Sequence, residues 1–287
     1  MTLGGTFVLC VFALLLSSLG AAFFARGGLA AGFALEGIML LGGLAGLVSS
    51  GISWWAALLI AGAAGMVFSA LLALLQIHLK GDPVIGGIAL TFLAAALAMI
   101  LARLLGGVSY NRKTFEWTLN GEAVSVFLPL ALAAAPLTWL LMYHTRFGLR
   151  LRLCGEERNA AENAGVRIQW TRWRGALLGG FLGGAAGVAA LIALGGGWTL
   201  KQGVGGMGFL AAAAMICGQG KPWRILLYAL MMAALQTGAL MAVEYWPAAP
   251  QEAFRLIPFV LALGILCLKC RRNEVPGETA RALGLDD

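Results

Sequence analysis

The chain has 287 residues, of which 60% are hydrophobic and 11% charged, with 41 glycines and a mean hydropathy of +0.87. A soluble domain is apolar over about half of its residues and charged over about a quarter, so this composition excludes one and leaves a polytopic helical membrane protein. The formal net charge of +7 does not indicate nucleic-acid binding, because the basic residues stand at the ends of apolar runs, where they act as topology signals.

Crossing about 30 Å of hydrocarbon takes roughly twenty apolar residues in a helix. Such runs fall at 3–24, 33–50, 54–76, 84–105, 123–143, 174–195, 206–220, 223–243 and 254–268. They predict an all-α transmembrane bundle of about nine spans. Eight to ten remain open, because the seventh run is short enough to be re-entrant or to absorb part of the glycine-rich stretch before it. Nine spans put the N-terminus outside and the C-terminus inside, with fifteen of the 20 basic residues inside and five outside, as the positive-inside bias requires. The transmembrane domain is expected over 1–270, with an inner loop at 144–174, and a poorly ordered inner tail over 271–287.

The first run is uncharged, has no basic leader or cleavage site, and is expected to stay as an anchor. Arg26-Gly27-Gly28 marks the first inner turn, and Glu36 stands near the start of the second run. A carboxylate inside a membrane helix costs about 3 kcal/mol and requires a partner or an aqueous face. Glu36 therefore either pairs with a basic residue at the inner rim or serves the solute or a gate. Gly42, Gly46, Gly62, Gly65, Gly179, Gly183 and Gly187 recur at helical spacing and predict close helix contacts. His78, Lys80, Asp82 and Pro83 form the second inner turn. Residues 106–122 are the largest outer segment, carrying Tyr110, Arg112, Lys113, Phe115, Glu116 and Trp117, either as interfacial anchors or as a docking surface.

The longest polar island is His144 to Arg174, with seven arginines. Within it Glu156 to Ala164 has the composition of a short helix, and Gly165 follows where a left-handed stop is needed. Beyond the sixth run, Gly195–Gly197 and Gly203–Gly206 flank Trp198, Thr199, Lys201 and Gln202. That segment is either a helix break bordering a watery cavity or a plain outer loop. Ser69, Gln76, Thr91, Gln236 and Thr237 are polar at membrane depth, where interhelical hydrogen bonding is their ordinary use.

The only histidines, His78 and His144, lie at run ends, and the CxxC of Cys267 and Cys270 has no second pair. No metal, haem, cofactor or structural disulfide is expected. No GxxxxGK[ST] occurs, since Gly220-Lys221 is followed by Pro222, so ATP hydrolysis by the Walker route is not expected. With no nucleophile, base and orienting group to assemble, the chain is not expected to be an enzyme.

Thr145-Arg146-Phe147-Gly148, Arg152, Gly155-Glu156, Ala160-Ala161-Glu162 and Ala164-Gly165 resemble the coupling segment of inner-membrane permeases of ABC importers. That class serves simple sugars, nucleosides and branched-chain amino acids. The likeness continues in order at Leu35-Glu36-Gly37-Ile38-Met39-Leu40, Gly86-Gly87-Ile88-Ala89-Leu90, Gly206-Met207-Gly208-Phe209-Leu210 with the alanines after it, and Leu256-Ile257-Pro258-Phe259. It spans roughly residues 26–268 and is strongest to simple-sugar or nucleoside permeases. The chain departs where Glu157-Arg158 replaces the family's frequent Asn-Pro, and at Ala233, where many relatives carry an acid. The resemblance implies ATPase coupling by Arg152, Gly155, Glu156, Ala160, Ala161, Glu162, Ala164 and Gly165. Glu36, Thr91, Trp198, Thr199, Gln202 and Gln236 are candidates for the solute path. It further implies a separate ATP-binding-cassette ATPase, a second permease subunit (a different chain, or a second copy), a periplasmic or lipid-anchored solute-binding protein, surrounding lipid, and a bacterial inner membrane. The other function classes are an ion-coupled secondary carrier, for which Glu36 and the 195–206 break are the matching features, and a non-transporting scaffold.

Overall fold

The structure is a computed structural model, and it describes residues 3–30, 32–51, 53–104, 116–119, 122–156, 158–194, 203–245 and 251–270. Among these residues the helices are α1 Leu3–Arg26, α2 Ala34–Val48, α3 Trp54–Ala73, α4 Pro83–Leu104, α5 Phe127–Tyr143, α6 Arg146–Glu156, α7 Arg158–Asn163, α8 Ile168–Ala193, α9 Met207–Gly218, α10 Pro222–Tyr245 and α11 Gln251–Cys270. The architecture is helical. The departure among described residues is an antiparallel hairpin, β1 Glu116–Leu119 with β2 Glu122–Ser125, in which Glu116 pairs with Ser125 and Leu119 with Glu122. It takes up the end of the expected outer segment and the first residues of the expected fifth run. Tyr110, Arg112, Lys113 and Phe115 lie outside the described residues.

Every apolar run of the sequence contains a helix, and the arginine-rich island adds α6 and α7. Six helices are long and apolar enough to cross a membrane: α1, α2 with the 3-10 turn Ser49–Gly51, α3 with the π turn Leu74–His78, α4, α8 and α10. A seventh span requires α5 and α6 to count together, although they are bent by 75°. α9 has 12 residues, about 18 Å of helix. The described helices thus account for six or seven of the nine expected spans.

α8 is the centre of the bundle and packs against α1, α2 and α3. Its glycine face explains why. A Cβ at Gly179 would sit 2.8 Å from the Gly20 carbonyl oxygen of α1, one at Gly184 2.9 Å from the Gly65 Cα of α3, and one at Gly187 2.7 Å from the Met39 carbonyl carbon of α2. Backbones approach this closely only where side chains are absent, and dispersion between them replaces the hydrophobic drive that lipid removes. Gly42, Gly46, Gly62 and Gly65 form the opposing faces, as the spacing predicts. α4 is the contrasting case. Only the stripe Gly87, Leu90, Ala94, Ala98 and Ala102 is buried, while Phe92 is 73% exposed.

Candidate functional site

One end of the bundle gathers the arginine-rich segment. Thr145 is the turn residue. Its hydroxyl oxygen accepts from the Gly148 N–H at 3.1 Å, capping α6, while a Cβ at Gly148 would collide with the Leu141 and Met142 carbonyls. These two residues permit the sharp α5–α6 bend and give a physical reason for the Thr-Arg-Phe-Gly motif. Arg152 lies over the Tyr143 ring at 4.4 Å, binding α6 to the end of α5 by a cation–π contact.

The expected coupling helix is displaced. Gly155 and Glu156 close α6 rather than opening the next helix, which runs over Arg158–Asn163 and holds Ala160, Ala161 and Glu162. The reason is that Gly155 rests on the Arg26 backbone, with no room for a Cβ against the Arg26 carbonyl. That contact fixes the end of α6 on the end of α1. Glu157 lies outside the described residues. The stop is where the sequence puts it: Gly165 has φ +70°, its N–H donates to the Glu162 carbonyl, and the Val166 N–H donates to the Ala161 carbonyl, each at 3.0 Å. This pair of bonds is the left-handed closure that glycine allows without strain. Ala161 is fully buried against Cys154 and Ile168, while Glu162, Asn163, Ala164 and Gly165 are exposed. Beside them opens a cleft of about 590 Å³ whose lining includes Arg150, Arg167, Arg174 and Trp170.

The second region is at mid-bundle. Glu36 lies in the first turn of α2, between Leu35 and Ile38, which pack on Gly183. Gly183 is eight residues past Gly175 and ten before Ala193 on α8, so Glu36 stands about 12 Å and about 15 Å from those two levels. Among the described residues it does not meet a basic residue at a rim, one of the two alternatives the sequence leaves open. Its Oε1 accepts from the Gly206 N–H at 3.0 Å and its Oε2 from the Gly208 N–H at 2.7 Å. The carboxylate thus satisfies backbone donors at the start of α9 and faces the positive end of that helix's dipole. This partner was invisible in the sequence because backbone amides carry no residue signature.

The start of α2 is held by other helices. The Thr91 hydroxyl of α4 donates to the Phe33 carbonyl at 2.6 Å. The Gln76 side chain donates to the Ala30 carbonyl at 2.9 Å and accepts from its N–H at 3.1 Å. Phe33 and Phe209 meet edge to face at 6.2 Å, and Gly206 lies under the Phe259 ring of α11. Four separate sequence motifs, around Glu36, Gly87, Gly206 and Phe259, therefore converge on the junction of α2 and α9. Phe33 is missed by sequence reasoning because an aromatic in an apolar run carries no distinguishing pattern, and Phe209 is read there only as part of the Gly206–Leu210 likeness. Gln236 is buried in α10, and its Oε1 has no hydrogen-bond partner among the described residues. Trp198, Thr199 and Gln202 lie outside the described residues.

A multi-pass helical bundle with a polar helix–turn–helix at one end and two helices that begin inside it, joined by a carboxylate, has the build of a membrane transport subunit. The chain belongs to the family of the branched-chain amino acid transport system / permease component, which it matches over residues 5–266. It is similar to the nucleoside ABC transporter permease protein NupC of Lactococcus lactis, at 30% identity over 280 residues, covering 89% of this chain and 88% of the relative. The guanosine ABC transporter permease protein NupQ of Bacillus subtilis is 27% identical over 92% of this chain and 90% of its own. The putative glucose ABC transporter permease protein TsgC13 of Haloferax volcanii is 31% identical over 77% and 72%.

Proposed function

We propose that the chain is the membrane-embedded subunit of an ATP-driven importer of an uncharged polar solute, a nucleoside before a simple sugar. The observation that carries this is α7: a short helix at the arginine-rich end, closed by a left-handed glycine, with its exposed face beside a basic cleft. A separate ATPase seats there, on the cytoplasmic side, and Ala160, Ala161, Glu162, Ala164 and Gly165 form or support the docked element. The N-terminus lies outside and the C-terminus inside, in a bacterial inner membrane, with α5, α9 and α11 completing nine passes. The similar proteins named for nucleoside and guanosine transport support the choice of solute. The path runs past Glu36, Thr91 and Gln236, with Trp198, Thr199 and Gln202 on the connection before α9. A second permease subunit covers part of the apolar surface left open by α4, and a solute-binding protein delivers from outside.

An ion-coupled carrier fits less well. Glu36 is the described mid-bundle carboxylate, and both its oxygens are engaged by backbone amides, which leaves little of it for a coupling ion. Uptake by vesicles holding the whole transporter decides between them. ATP-depleted vesicles with imposed proton and sodium gradients should take up nothing, and ATP should restore uptake. Gradient-driven uptake without ATP would overturn the importer reading. Ala160→Trp should abolish ATP-driven uptake while the chain still inserts; normal uptake with the ATPase still bound would remove α7 from the docking role.

A further inference from the structure

Three helix ends meet at Arg26. Arg26 is the last residue of α1, and its carbonyl is the atom against which Gly155, in the last turn of α6, is pressed. On its other side the guanidinium packs on the end of α9: Nη2 donates to the Gln219 carbonyl at 3.4 Å, and Nε lies 3.0 Å from where a Gly220 Cβ would stand. Gln219 and Gly220 both have positive φ, 53° and 64°, and together they end α9. Arg224 binds the Gln219 side chain at 2.6 Å through Nη1, which leaves the Gln219 main-chain carbonyl for Arg26. At its other end α9 is held by Glu36 through Gly206 and Gly208.

α9 is therefore a short rod, about 18 Å long, gripped at one end by Arg26 and at the other by Glu36. α9 is packed along its length: nine of its twelve residues are buried, the Gly208 backbone rests on Glu36 of α2 and the Gly218 backbone on Ile225 of α10, and Phe209 and Ile216, seven positions apart on one face, are exposed. A close-packed rod held at both ends passes a displacement of one end to the other.

We propose that Arg26 is a positioning residue that passes movement of α6 and α7 to α9, and through α9 to the Glu36 junction where α2 and α9 begin. The route is a series of contacts in which each member is a helix end: Gly155 on Arg26, Arg26 on Gln219, α9 as the rod, Gly206 and Gly208 on Glu36. It rests on the reading that α7 docks an ATPase, and it assigns how that docking reaches mid-bundle.

The test uses the complete transporter with its ATPase. Spin labels at Glu162 on α7 and at Ile216 on α9, each paired with a label at Val67 on α3, report two distances with and without a non-hydrolysable ATP analogue. In the parent protein both distances should change. In Arg26→Ala the distance to Glu162 should still change, the distance to Ile216 should not, and solute taken up per ATP hydrolysed should fall at least about tenfold. If Arg26→Ala lowers recovery of the complex, Arg26→Met, which keeps the side-chain stem and drops the guanidinium, takes its place with the same expected results. An Ile216 distance that still changes without the guanidinium, or that is static in the parent while the Glu162 distance moves, overturns the relay and spares the docking. A Glu162 distance that is static in the parent overturns the docking and the relay with it.

Discussion

The helices of this chain are interrupted both at the arginine-rich end and at mid-bundle, and the two regions are closed by different means. At the arginine-rich end the two turns of the 144–174 segment are closed by neighbours in sequence: Thr145 caps α6 through Gly148, three residues on, and Gly165 stops α7 with bonds to Glu162 and Ala161, while the turn after α1 is held from afar by Arg172, which donates to the Gly27 and Gly28 carbonyls. At mid-bundle the closures come from far away. Glu36 reaches amides 170 and 172 positions along the chain, Thr91 a carbonyl 58 positions away, and Gln76 both main-chain groups of a residue 46 positions away. A locally closed turn can move as a unit, since its polar groups stay satisfied wherever it goes. A remotely closed break ties the elements it joins, so that neither end of α9 and α2 can part from the other without exposing donors to an apolar interior.

The largest effect is expected at Glu36. Glu36→Ala removes two hydrogen bonds to a carboxylate and leaves the buried Gly208 N–H and the part-buried Gly206 N–H without it, a loss of about 3 kcal/mol after allowing for the relief of burying the charge. The detergent-solubilised chain should melt markedly lower, and amide exchange should quicken at the start of α2 and of α9 together. Quickening confined to α2 would mean that the two breaks are independent. Thr145→Ala should cost about 1 kcal/mol, the ordinary value of a helix cap, and should quicken exchange in the first turn of α6 alone. Thr91→Val preserves shape and loses the bond to the Phe33 carbonyl, for about 1 kcal/mol or less. Its effect should appear at α2, on the other side of the contact, whereas the effect of Thr145→Ala should stay on its own helix.

This division also explains what could be read from the sequence. Nine of the eleven described helices are legible as apolar runs, α7 as an Ala/Glu-rich stretch, the central role of the glycine faces as a spacing, and the stop at Gly165 as a residue that tolerates positive φ; α6 is not, because Arg146, Arg150 and Arg152 interrupt its apolar pattern. The start of α7 was misplaced by about two residues because Gly155 is spent on the Arg26 backbone, a contact between residues 129 positions apart in sequence that composition does not encode. Glu36 was legible as a carboxylate in need of a partner, but its partner was not, since a main-chain amide looks the same at every position. The hairpin of β1 and β2 stayed hidden because its residues, Glu116–Leu119 and Glu122–Ser125, are too few and too polar in alternation to stand apart from a loop.

The smallest expected effect, that of Gly165→Asn set beside Gly165→Ala, gives the sharpest test of local closure. Gly165 has φ +70°, and nothing lies within 4 Å of a Cβ built there. A substitution therefore changes the backbone preference and leaves packing alone. Alanine in the left-handed region costs about 1 kcal/mol, whereas asparagine, which visits that region readily, costs a few tenths. A penalty of 1 kcal/mol is roughly fivefold in an opening equilibrium. In Gly165→Ala the amides of Gly165's replacement and of Val166 should exchange about fivefold faster, in Gly165→Asn less than twofold faster, and the amides of α8 should keep their parent rates in both. An effect of Gly165→Ala that reached α8, or equal effects of alanine and asparagine, would show that this turn is held by its surroundings as the mid-bundle breaks are, and the contrast between the two regions would fail.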